Sequence, residues 1–382
     1  MATTSEPAEV RDTQDGAGAE RGEVAPGVEG VLGYGDLAAE HRALTEGCAA
    51  VDRSWAGRLE MLGEDRGRFL QGLVTCDVEA VSPGGGTYGF VTSRKGQVIA
   101  DVRVLALEDR LWLELPAGRA EAVAEHLAAF KIADRVEIAP LERVPLTVAG
   151  PRAAAVVAAA EGAELSAPAA ARAVSGESAT AAETETASGG AERSAPPWSH
   201  RAGSVGGEDV RVVRRGLVGV EAFDLWVAPE GAERVWEALV AAGAVPAGFR
   251  ALETLRVERG IPRWGAEFGP ETLPQETGLE EAAVSFTKGC YLGQEVVARI
   301  HYRGGVNRRL VALRFPAGSE PPAAGATLLA DGRPAGTVGS ALRAPAAGRP
   351  LGLAIVHQRA AEPGTRLEVA GGGEAEVAEV PR

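Results

Sequence analysis

Apolar and polar residues alternate along Arg58-Leu-Glu-Met-Leu62, which predicts a strand. Gly63 ends it, and Asp65 opens a short helix with Phe69, Leu70 and Leu73 on one face. Thr87–Val91 and Gln97–Leu107 read as strands joined by the Ser93-Arg-Lys-Gly96 turn, and Leu111–Leu115 follows as a third, giving an antiparallel meander. Val123, Leu127 and Phe130 then mark a helix face. Further on, Val210–Arg214 and Leu217–Val227 flank Arg215-Gly216 as a hairpin. Gly231–Ala242 predicts a helix that buries Val235, Trp236 and Leu239, and Leu252 and Leu255 a shorter one ending at Gly260. From Asn307 onward, short apolar runs punctuated by Gly and Pro suit a small antiparallel barrel.

Two stretches carry no such period. Residues 1–30 are small and acidic, and about 161–207 are dominated by Ala, Ser, Glu, Thr and Gly, so neither is expected to bury enough apolar surface to offset its ordering entropy. The expected layout is a disordered tail at 1–30, then an α+β core over 31–305 built from two interleaved domains. That core is interrupted by a disordered insertion at about 161–207, and a β-barrel follows over 306–382.

Composition narrows the partners. A formal net charge of −14 over 382 residues argues against general nucleic-acid binding, which depends on clustered Lys and Arg. Residues 288–309 run the other way, with Lys288, Arg299, Arg303, Arg308 and Arg309 against the single acid Glu295, a net of +4. The three cysteines, Cys48, Cys76 and Cys290, form no C-x-x-C pair, which indicates neither a disulfide framework nor a zinc ribbon. No apolar leader and no run of about 18 apolar residues appears, so no membrane association and a cytoplasmic location are expected.

The densest chemistry is Lys288-Gly-Cys-Tyr-Leu-Gly-Gln-Glu295. Two glycines bracket a thiol on an expected turn, where the Lys288 ammonium would favour the reactive thiolate of Cys290. Tyr291, Gln294 and Glu295 supply a hydroxyl, an amide and a carboxylate nearby. The competing reading is a buried, inert cysteine. In Gln97–Leu107, Asp101 shares a face with Ile99, Arg103 and Leu105, where it serves either a ligand N–H or a surface pair with Arg103. Arg256 and Glu258 stand at a helix end beside Gly260 and Pro262, within reach of a planar polar ligand or simply exposed. Trp55 is either a stacking surface for a flat heterocycle or a core indole.

These residues together resemble the YgfZ-type folate-binding proteins, distant relatives of the glycine-cleavage T-protein. The eight-residue signature at 288–295 carries the resemblance. It is joined by Phe69-Leu-Gln-Gly72 through Thr75-Cys-Asp77, Lys95-Gly96, Arg256-Val-Glu-Arg-Gly260 with Ile261-Pro262, and Tyr302-Arg-Gly304. The resemblance implies a T-protein-like ring of antiparallel-sheet domains with helices around a central cavity for tetrahydrofolate, plus the barrel. It also implies a role in assembling or repairing iron–sulfur proteins, with those proteins or their assembly machinery as partners. By the same resemblance Cys290 is the family's cysteine, Trp55 its folate-side tryptophan, and Asp101 and Glu258 the folate carboxylates; Arg256 joins the folate contacts. Where some members carry a further Trp before the Arg256 helix end, this chain has Leu252, and Trp264 in the next loop stands in as a second stacking surface. An aminomethyltransferase of glycine cleavage and a non-catalytic folate scaffold remain as alternatives.

Overall fold

The structure, a computed structural model, describes residues 8–162, 196–216 and 218–381. The expected meander forms as Gly86–Thr92, Val98–Ala106 and Arg110–Leu115, extended by Gly57–Leu62 and Glu137–Pro140 into a five-stranded antiparallel sheet. The period of two decides its faces. Ala100, Val102 and Val104 enter a core with Leu59, Met61, Leu113, Val123 and Leu127, while Asp101 and Arg103 point to the opposite side.

The second sheet has six strands in the order His200–Val205, Glu208–Arg214, Ala222–Val227, Val144–Ala149, Ala49–Asp52 and Val245–Pro246, the last pairing parallel to its neighbour. The helix Ala232–Ala241 covers it, placing Val235, Trp236 and Leu239 against Leu146, Val148 and Leu225. A second helix, Phe249–Glu258, packs on the other side of the sheet's end through Ala251 and Leu255 against Leu44, Val51 and Trp55. The C-terminal strands from Arg308–Arg314 to Glu374–Ala378 close into a six-stranded antiparallel barrel, so no strand edge is left unpaired. Its outer residues Leu310, Leu353 and Ile355 join a cluster with Phe90, Trp226, Val257 and Phe268 that joins barrel to core.

Two expectations change. Residues 8–30 are not a loose tail, because the helix Ala8–Gly16 and the hairpin Glu20–Ala25/Val28–Gly33 are built there. The reason is packing invisible in composition: Val24 and Val31 are buried, and Gly30 lies flush on Trp55, where a Cβ would come 2.9 Å from the indole. Residues 1–7 lie outside the described chain. Of the expected insertion, 163–195 also lie outside it, but Pro196 to Gly207 are folded: Trp198 is buried and His200–Val205 forms an edge strand. That strand reads as low complexity because its middle residues face outward and only His200 and Val205 are buried.

Candidate functional site

A cavity opens between the two sheets and the helix Phe249–Glu258. Its walls come from segments far apart in sequence: Val24 to Pro26 of the N-terminal hairpin, Trp55, the strand residues Tyr88, Asp101 and Arg103, the helix residues Glu253 and Arg256, and Ile261 to Trp264. Trp55, Tyr88, Phe249 and Trp264 give it flat apolar surfaces, and Trp55 meets Phe249 edge to face at 5.9 Å.

Five arginines line the cavity, Arg53, Arg103, Arg215, Arg256 and Arg263, against two acids, Asp101 and Glu253. Further carboxylates stand behind them. Glu114 accepts from Arg53 at 2.6 Å and from Arg215 at 3.1 Å, and lies 3.5 Å from Arg103. Burial opposes its charge, but Arg215, Arg53 and Arg103 hold the Glu114 carboxyl well below the usual range. Asp224 accepts from Arg215 and from the Thr147 hydroxyl. Arg103 also lies over the rings of Tyr88 and Trp198, at 5.4 and 5.5 Å.

Asp101 is only partly satisfied. One carboxylate oxygen accepts from the Tyr88 hydroxyl at 3.2 Å and lies 3.7 Å from Arg103; the other, Oδ1, is buried without a partner. A buried carboxylate oxygen left unpaired in a cavity is a vacant acceptor for ligand N–H groups. At the other end, Glu253 accepts in parallel from Arg256 at 2.7 Å and from Arg263 at 2.9 and 3.1 Å. Burial alone would raise the Glu253 carboxyl, but these two arginines hold it below its ordinary value.

The sequence-read candidates divide. Trp55, Asp101 and Arg256 line the cavity together, as do Leu252 and Trp264, whose indole carries Arg119 at 4.5 Å. Glu258 does not line it: its carboxylate meets His41 Nε2 at 2.6 Å on the opposite side of the helix. Helix geometry explains the exchange. Glu253 and Arg256 are three residues apart and share a face, whereas Glu258 is turned about 140° from Glu253.

The Lys288–Glu295 segment is separate from the cavity lining. Cys290 is exposed on a loop. Lys288 is buried instead, and its ammonium donates to the main-chain carbonyls of Gln71, Val74 and Cys76, each at 2.7 Å, so its donors serve that turn rather than the Cys290 thiol. Burial pushes Lys288 down to about 8. Tyr291 is buried with its hydroxyl unpartnered, and burial pushes the phenol up. Gln294 and the exposed Glu295 begin the helix Gln294–Arg303. Gly293 precedes it at φ 83°, and a Cβ there would meet Ser93 O at 2.5 Å and Gly96 Cα at 2.8 Å. The signature thus folds as a plug on the 71–76 turn and the Ser93–Gly96 turn, leaving the thiol outward.

Residues 10–288 match the GCVT N-terminal domain, and residues 308–381 match the glycine cleavage T-protein C-terminal barrel domain. The chain belongs to the glycine cleavage T-protein family. Similar proteins include an aminomethyltransferase of Thermus thermophilus, 30% identical over 89% of this chain and 88% of that one. A protein of Arabidopsis thaliana named as a chloroplastic transferase is 27% identical over 89% of this chain and 72% of its own length. The crystal structure of glycine cleavage system aminomethyltransferase T from Bartonella henselae superposes with a TM-score of 0.80, covering 97% of this chain and 96% of that one at 23% identity. The T-protein-like fold with its C-terminal barrel, expected from the sequence, is therefore observed. Among the described residues no helix is long and apolar enough to cross a membrane.

For this T-protein family member, sequence reading missed Arg53, Arg103, Arg215, Glu114 and Asp224 as a cluster. The signal was present. Glu114 and Asp224 each interrupt an otherwise apolar strand, Leu-Trp-Leu-Glu-Leu115 and Ala-Phe-Asp-Leu-Trp226, and such charges in buried strands need partners.

Proposed function

We propose that the chain binds tetrahydrofolate in the arginine-lined cavity and acts on folate-carried one-carbon units. The observation that supports this best is Asp101, whose buried, unpartnered Oδ1 faces a space walled by flat aromatic rings. The amino and ring N–H groups of a reduced pterin are the donors such an acceptor lacks, and Trp55 and Trp264 are surfaces on which a planar ring can lie. Arg103, which lines the cavity with no carboxylate oxygen closer than 3.5 Å, is the cation with donors to spare for the glutamate carboxylates of the folate tail. Tetrahydrofolate supplies the one-carbon carrier; the chain's own residues bind, orient and shield it. Titration with tetrahydrofolate should give a saturable change in Trp fluorescence, and a flat response would remove the basis of the proposal.

Within that reading we assign the chain the YgfZ-type role, an accessory function in iron–sulfur protein assembly or repair. Its support is the signature at 288–295 and the exposure of Cys290 outside the cavity, where a partner protein or a cluster in transfer can reach the thiol. Cys290→Ser should bind folate normally yet fail to restore iron–sulfur enzyme activity in cells lacking the protein; full complementation would leave Cys290 without a chemical role. The similarity to named aminomethyltransferases supports a second reading, aminomethyl transfer in glycine cleavage. Turnover with a lipoyl carrier protein would favour it over the first.

A further inference from the structure

A second cleft lies where the barrel meets the core, and it shares no lining residue with the arginine cavity. Glu267 and Thr272 form its core wall, and Thr327, Thr337, Ile355 and His357 its barrel wall. The Glu267 side chain is wholly shielded from solvent, at 0% exposure. Its Oε2 accepts from Arg256 at 3.0 Å and from the Arg263 N–H at 2.9 Å, but Oε1 has no partner. Nor has the buried Nδ1 of His357. The barrel backbone clamps the site: a Cβ on Gly339 would come 2.9 Å from Glu267 Cα.

An unpaired buried carboxylate oxygen is costly, and His357, whose Nδ1 is also unpartnered, lines the same cleft. The missing complement is a compact donor. A metal ion is poorly served, because among the described residues no three His, Cys, Asp or Glu side chains gather to hold one. A primary ammonium carries three N–H donors, and Glu267 Oε1, the threonine hydroxyls and His357 Nδ1, in the tautomer protonated at Nε2, are its acceptors. Arg308 at the cleft is bound by Glu276, at 2.9 Å, so its charge is already compensated. Ile355, Ala335 and Pro334 add apolar wall, and at about 490 Å³ the cleft admits an alkyl chain along with the ammonium.

We propose that this cleft binds a primary ammonium group on a short alkyl chain, with Glu267 Oε1 as its anchor and His357 beside it. The proposal does not depend on folate binding. The test is to titrate the full chain with ethylammonium chloride while following the imidazole resonances of its five histidines by NMR. Tetramethylammonium chloride serves as a control of equal charge with no N–H. The resonance missing from His357→Gln should move saturably with ethylammonium and not with tetramethylammonium. Glu267→Gln should raise the half-saturation concentration at least about tenfold. Should that variant fail to fold, Thr337→Val, which contacts neither Arg256 nor Arg263, should still weaken binding several-fold. No saturation up to about 100 mM, equal shifts with both cations, or unchanged binding in both variants would overturn it.

Discussion

Two buried cations, Arg256 and Lys288, are held in opposite ways. Arg256 faces a cavity and is met by the carboxylates of Glu253 and Glu267, whereas Lys288 is buried under a loop and met by three neutral carbonyls and the Tyr291 ring. The first arrangement leaves charged groups beside open space and acceptors such as Asp101 Oδ1 unpaired, which is the condition for binding something. The second satisfies its ammonium internally and leaves the Cys290 thiol outward. The densest motif in the sequence is therefore mainly a structural plug here, and the cavity is assembled from residues scattered over several segments.

The largest effect should come from removing the plug. Lys288→Met strands three buried carbonyls, each costing about 1–3 kcal/mol, so the urea unfolding free energy should fall by about 6 kcal/mol. A loss under about 1 kcal/mol would mean that the loop is held by other contacts.

On the cavity side, Glu114→Gln leaves Arg53, Arg103 and Arg215 short of their shared carboxylate and should cost about 3–5 kcal/mol. Its pH signature has a definite sign. Because the folded carboxyl is held below its unfolded value, its stabilisation is complete above the ordinary carboxylate range and disappears as pH falls through that range toward the folded value. The acid limb of stability against pH should flatten in Glu114→Gln, and an unchanged limb would place the acid sensitivity elsewhere.

Trp198→Ala should cost about 3 kcal/mol in thermal or urea unfolding, because its indole stacks on Tyr88 at 6.2 Å and carries Arg103. A neutral result would return Pro196 to Gly207 to the status of an unpacked segment. Cys290→Ser should be the smallest change, within about 0.5 kcal/mol in stability, as expected of an exposed side chain.

Where one period governs a segment, the fold is legible. The alternation in Gln97–Leu107 assigns Ala100, Val102 and Val104 to the core and Asp101 to the other face, and the Gly- and Pro-punctuated runs after Asn307 become the barrel strands. It is illegible where contact partners are remote. The hairpin around Gly30 depends on Trp55, and the edge strand after Trp198 presents small and polar residues outward. In the site, Trp55, Asp101 and Arg256 were readable as individuals, but Glu253 was passed over for Glu258 because both flank Arg256 in sequence and only the helix phase separates them.

The central claim is that Asp101 receives the donors of a folate ring while Cys290 plays no part in holding it. Tetrahydrofolate titrations of the wild type, Asp101→Asn and Cys290→Ser, read by Trp fluorescence, test it directly. Losing a charged acceptor is worth about 1.5–3 kcal/mol, so Asp101→Asn should bind at least about tenfold more weakly, and Cys290→Ser should match the wild type. Equal affinity for wild type and Asp101→Asn, or a loss confined to Cys290→Ser, would contradict the account.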